Sequence, residues 1–277
     1  MTQEQLNKII EKHQHYLNED IDGWESMKAD LSYKNLSGLD LSNANLRNAD
    51  LRKAYLRDAN LRKADLTYAD LRKVDLRKAD LRKADLAYAD LRNAELREAN
   101  LYRACCLYTN LGRVDLSNAY LRDANMYSAF CCYTNMYGVD LRRADLREAN
   151  LRNAYLSGTD LSEDTKIDCP IACPETGSFI GYKKAICKKI VKLQICEDAK
   201  RSSATTKKCR CSKALVLAIE NMDGFDSRLQ EIESRYDPCF IYRVGEIAEV
   251  PDFDNDRWNE CAPGIHFFMD RQDAVEY

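Results

Sequence analysis

Residues 44–70 read ANLRNADLRKAYLRDANLRKADLTYAD, and the period of that stretch is five. From Leu31 to Leu161 a bulky apolar residue falls on every fifth position, twenty-seven times in all. Twenty-three of these are Leu; the others are Cys106, Met126, Cys131 and Met136. Two residues before each stands a small residue, usually Ala, and Asp or Asn mostly lies between, so the unit is A-(D/N)-L-x-x. An α-helix advances about 500° in five residues, which would smear the leucines around its surface about 140° apart. A flat strand alternates with period two, so a spacing of five would throw successive leucines onto opposite faces. Every Leu can be buried only if the chain turns a corner after each short extended piece. Repeated turning makes a coil with leucines inside and alanines small enough to sit near the corners.

The number of pentapeptides per coil comes from a second signal. The two residues after Leu are mostly charged or polar, but Thr67-Tyr68, Ala87-Tyr88 and Leu107-Tyr108 interrupt that run at intervals of twenty residues. Four pentapeptides per coil would stack these tyrosines on one face. At an inter-strand spacing of about 4.8 Å, seven such coils make a rod on the order of 30 Å long. Each buried Leu contributes roughly 1.5–3 kcal/mol before chain entropy opposes it. The end coils lack a neighbour and need caps.

With these residues in view, positions 29–163 resemble the pentapeptide repeat proteins. The resemblance implies a right-handed quadrilateral β-helix, and the handedness rests on it alone. The fold class expected for the chain is mainly β. It comprises a β-helix of about seven coils over residues 31–163, an N-terminal capping segment over 1–30 and a small α+β domain over 164–277. Thr2 and Gln5 fit a capping box, and Leu6, Ile9, Ile10, His13 and Leu17 recur at helical spacing, so residues 2–18 read as a helix covering the first coil. His13 and His15 are expected on its surface. Beyond Ser162, strand-like runs appear at 179–182, 190–195, 214–219, 240–244 and 264–268. Residues 221–235 suit a short helix, KRSSATTKKCR a loop, and Asp270 the cap of a terminal helix. KRSSATTKKCRCSKALVLAI and RWNECAPGIHFF resemble a domain of unassigned function that accompanies pentapeptide repeats in some bacterial and phage proteins; no mechanism comes with that resemblance.

Candidate chemistry is sparse. Cys169-x₃-Cys173 and Cys209-x-Cys211 are the weak candidates for metal ligands, and buried reduced thiols are the favoured reading. Cys106 and Cys131, in the duplicated ACCLYTNL and AFCCYTNM, fall on inward positions and are not expected to meet. Asp252-x-Asp254-x-Asp256 opens like a calcium loop but has Arg257 where Gly is needed and Pro263 where Glu is needed. His266 lacks a partner that sequence could name. No nucleotide, zinc-protease or serine-hydrolase fingerprint is present, and no cofactor is expected.

The net charge of −3 hides a stem at +4 between flanks of −4 and −3. Arg52, Lys53, Arg72, Lys73, Arg77, Lys78, Arg82 and Lys83 alternate with Asp75, Asp80 and Asp85, as a solvated, ion-paired wall would. Nucleic-acid binding is disfavoured. The N-terminus lacks a secretory signal and no apolar run suits a membrane span, so a cytoplasmic protein with free thiols is expected.

Three functions remain open. A non-catalytic interaction scaffold leads, with a protein partner or self-association through a face formed by Thr67, Tyr68, Ala87, Tyr88, Leu107, Tyr108 and Tyr127. An enzymatic or ligand-binding activity in residues 164–277 is the alternative. The third is the DNA-mimicking control of type II topoisomerases that the resemblance admits; the positive stem opposes it, because mimicry needs a markedly negative rod.

Overall fold

The computed structural model describes residues 1–161 and 164–277. It divides into two compact units, Met1–Asp168 and Cys169–Tyr277.

In the first unit, the pentapeptide around Leu46 shows how each corner is made. The Leu46 N–H donates to the Asp65 carbonyl at 2.7 Å, and the Asp65 N–H donates to the Ala44 carbonyl at 2.9 Å. The Ala49 N–H returns to the Leu46 carbonyl at 3.0 Å and closes a β-turn. The third residue of that turn, Asn48, has φ +62°, and the equivalent non-glycine residues with positive φ along the stem, among them Lys53, Tyr68, Lys83 and Tyr88, lie between +53° and +62°. Gly38, Gly138 and Gly158 occupy the same place at +65° to +69°, where glycine carries no steric penalty. The recurring Asp or Asn has a local cause too. Its Oδ1 accepts the N–H two residues on, as in Asp65 to Thr67 at 3.0 Å and Asn35 to Ser37 at 3.1 Å. This side-chain turn holds the backbone as it leaves each short strand.

Parallel bridges link residues twenty apart, from Asp30↔Asp50 to Asp140↔Asp160, so each coil closes after four pentapeptides. The inward leucines from Leu31 to Leu146 are 0–2% exposed. After the last bridge, strand β1 (Asp145–Leu146) pairs in parallel with β2 (Lys166–Ile167), one residue out of step with the ladder. The stem end expected at residue 163 lies outside the described residues.

Helix α1 (Gln3–Asn18) starts at Thr2 with the reciprocal capping box that Thr2 and Gln5 imply. Contrary to expectation, His13 is not on its surface but wholly buried. Its Nδ1 accepts the Ala29 N–H at 3.1 Å, and its Nε2 donates to the Arg47 carbonyl at 3.0 Å. Burial lowers its pKa, consistent with a neutral ring that carries its proton on Nε2. His15 is partly exposed and pairs with Asp20 at 2.8 Å.

The second unit is built on a seven-stranded antiparallel sheet of β3 (Phe179–Lys184), β4 (Lys189–Ile195), β5 (Arg201–Ser203), β6 (Lys208–Cys211), β7 (Lys213–Asn221), β10 (Ile247–Glu249) and β11 (Ile265–Phe268). The strand order is β10-β7-β4-β3-β11-β6-β5. A separate hairpin pairs β8 (Glu231–Glu233) with β9 (Ile241–Arg243), and helix α2 (Arg271–Glu276) is capped by Asp270. Val191, Leu193, Ile195, Val216, Ile265 and Phe267 form the core. Gly181 is required there, because a Cβ would sit 2.5 Å from the Phe267 ring.

Two expectations fail in this unit. KRSSATTKKCR is not a loop but supplies β5 and most of β6, and residues 221–235 contain β8 and no helix. Among the described residues no helix is long and apolar enough to cross a membrane.

Candidate functional site

The twenty-residue repeat brings Tyr68, Tyr88 and Tyr108 into register. Each follows an inward residue by two and so takes the left-handed corner position, which turns its side chain outward. Their rings stack at 4.9 and 5.1 Å with planes 10° apart. Tyr127, from the neighbouring column, meets Tyr108 edge-on at 6.2 Å. The row ends in charge: Arg147 lies 6.0 Å above the Tyr127 ring, and Ser128 donates to Glu148 at 3.0 Å. The hydrogen bond between Tyr127 and Glu148 pushes the phenol up and the carboxyl down.

Exposure decides what this face can offer. Tyr68, Tyr88 and Tyr108 are 52, 48 and 42% exposed, although each is stacked on its neighbour. Thr67, Leu107 and Tyr127 are partly buried. Ala87 is only 7% exposed and contributes almost no contact area, which corrects its place in the expected face. Its side chain is one carbon long and stands beside larger neighbours in the next coils. Other exposed aromatics lie elsewhere on the stem, and of these Tyr137 and Tyr155 stack at 6.1 Å.

The charged walls are neutralised more closely than the sequence suggests. Each of Arg72, Arg92, Arg142 and Arg147 grips the Asp two residues before it, at 2.6–2.7 Å. Many reach a second carboxylate in the next coil as well, as Arg52 does to Asp70 at 3.6 Å and Arg97 to Asp115 at 3.4 Å. The partner of Arg77 within its own strand is therefore Asp75 behind it, not Asp80 ahead. The arginine hydrogen bonds hold Asp50, Asp75, Asp140 and Asp145 below the usual carboxylate range.

The cysteines are dispersed by role. Cys106 and Cys131 are inward and fully buried, and burial pushes the Cys131 thiol up to about 12. Cys173 and Cys209 share a hydrogen bond, and Cys211 is buried close by. Cys169 turns to the Ala204 carbonyl at 3.6 Å. Among the described residues, no group of three His, Cys, Asp or Glu side chains is placed to hold a metal ion, and all twelve cysteines are free.

Comparison with known proteins agrees with this architecture. Residues 28–58, 40–77, 75–105 and 131–162 match the model of the pentapeptide repeats. The chain is 31% identical to HetL, a pentapeptide repeat protein involved in heterocyst differentiation regulation from the cyanobacterium Nostoc. That match covers 50% of this chain and 73% of HetL, with a TM-score of 0.33. It is 30% identical to a pentapeptide repeat protein of the Arabidopsis thaliana thylakoid lumen, over 45% of this chain and 70% of that one, with a TM-score of 0.28. QnrB1, a plasmid-mediated fluoroquinolone resistance protein, is 17% identical over 47% of this chain and 84% of its own, with a TM-score of 0.24. No curated protein matches. The chain belongs to the pentapeptide repeat family. Its residues 169–274 match a second model, that of a family of unknown function, DUF5758.

Proposed function

We propose that this protein is a non-catalytic interaction scaffold of the cytoplasm. Its stem is a right-handed quadrilateral β-helix of about seven coils that presents one aromatic face to a protein partner or to a second copy of the chain. The observation that carries this reading is the row of three stacked tyrosines, each more than two-fifths exposed, on a stem most of whose arginines are held by carboxylates. Stacking spends only part of each ring. The remaining area is apolar, and the phenol can stay wet, a combination that suits interfaces. The competing use of the row is purely internal, since cross-coil aromatic pairs add about 0.5–1.5 kcal/mol each.

Tyr88→Lys combined with Leu107→Lys separates the two. On the scaffold reading, self-association measured by sedimentation velocity, or capture of a defined partner, is lost while the melting temperature falls by only a few degrees. If the double variant assembles and binds like the parent, the row is only a ladder within the stem.

A further inference from the structure

Strand alternation in β3 turns Gly181 and Lys183 toward the interior of the second unit. Gly181 gives way to the Phe267 ring, but Lys183 carries an ammonium group into a buried place, and the residue is 8% exposed. Its Nζ donates to the His266 carbonyl at 3.4 Å and lies 5.9 Å from the centre of the Tyr242 ring. Among the described residues no carboxylate comes within 4.0 Å of it. A buried cation without a counter-ion is costly, and proteins normally pair it. Burial, aided by the charge of Lys208, accordingly lowers the Lys183 amine to about 8.

Lys183 lines a cavity of about 700 Å³. This lies in the range that holds small organic ligands, roughly 300–1,000 Å³. Phe240, Tyr242 and Val250 supply apolar wall. His266 also lines it, but its Nε2 is committed to the Ala262 carbonyl at 3.0 Å, and burial lowers the ring's pKa to about 4. It is therefore neutral at pH 7 and adds no positive charge. The acidic lining residues, Asp237, Glu249 and Asp252, are all exposed, so they stand toward solvent while Lys183 stands inside.

We propose that this cavity binds a small organic monocarboxylate with an apolar body, its carboxylate seated on Lys183 and its body against Phe240, Tyr242 and Val250. The ligand supplies the counter-ion that the fold withholds. Lys208, partly buried, is the second cation of the lining, and against it the three exposed carboxylates disfavour polyanions such as nucleotides and polyphosphates. This site is independent of the aromatic face of the stem, and either can fail without the other.

Calorimetric titration of the full chain with benzoate, phenylacetate and octanoate tests the proposal. At least one acid should bind saturably, and its neutral amide should bind at least about tenfold more weakly, because it cannot pair with the ammonium. ADP should not bind. Lys183→Met should lose at least about tenfold in affinity for the acid while melting no lower than the parent, since an unpaired buried charge has been removed. A second readout needs no variant: the Lys183 Cε resonance should report a higher amine pKa in the presence of saturating acid. The proposal is overturned if none of the three acids binds at roughly 10 mM. Equal affinity for acid and amide, or an unmoved Lys183 pKa, also overturns it.

Discussion

Leu81 is 0% exposed, and its neighbour Arg82 projects from the wall to pair with Asp80. Leu81→Asp puts a charge among leucines with no partner and should cost several kcal/mol, enough to lower the melting temperature of the whole stem. Arg82→Glu removes a partly exposed ion pair at the wall and should cost no more than about 1 kcal/mol. Comparable melting losses for the two would refute the assignment of inside and outside. The next residue tests the corner itself. Lys83 has φ +59°, a conformation that a β-branched side chain resists. Lys83→Val should therefore destabilise by about 1–2 kcal/mol, whereas Lys83→Asn should be neutral or slightly stabilising in the same thermal melts. The period of five made the inward positions legible without a structure. It could not show that Ala87, in an outward position, is nearly covered, because that depends on the size of neighbours a coil away.

Helix α1 was legible from its capping box and spacing, but the role of His13 was not. A histidine on an amphipathic helix is covered or exposed according to what packs on it, here Ala29 and the first coil. Its contacts need the neutral ring, since a protonated Nδ1 could not accept the Ala29 N–H. Because the folded pKa lies below the ordinary 6.5, the stabilisation is complete above that value. It is lost as pH falls through the lowered one. Trp24, 5.8 Å from Tyr16, which itself stacks on His13 at 5.3 Å, can report this. In a Trp258→Phe background, Trp24 fluorescence should change on acidification below pH 6.5 and recover on neutralisation. His13→Ala should abolish that transition and weaken the cap at every pH by about 1–3 kcal/mol, by orphaning a buried donor. A transition that persists in His13→Ala would place the pH response elsewhere. In the second unit the long apolar runs were legible as strands, whereas β5 and β6 were hidden. Their sequence is polar, and they acquire their partners only from β11 and from each other. Lys183 left one faint trace, its placement two residues from Gly181 and four from Phe179 on one face of a strand.

For the molecule as a whole, charge and thiol chemistry give the clearest expectations. The stem is net positive, and most of its arginines are tied to carboxylates within and between coils. It should therefore not inhibit DNA gyrase supercoiling at stoichiometric amounts, and inhibition in that assay would defeat the electrostatic exclusion of DNA mimicry. All twelve cysteines are free, so thiol titration of anaerobically denatured protein should find close to twelve reactive groups. Several fewer, without bound metal, would mean disulfides.

The twenty-residue bridge also makes the stem a counting device. Removing residues 41–60 deletes one full coil, joins Asp40 to Leu61 in unbroken phase, and leaves the stack of Tyr68, Tyr88 and Tyr108 whole. Removing only 81–85 keeps every leucine inward, yet advances all that follows by a quarter of a coil, so Tyr68 no longer faces Tyr88. Length and azimuth are thus inherited separately. Insertions in steps of twenty lengthen the stem without turning its columns, and steps of five rearrange its surface while sparing its core.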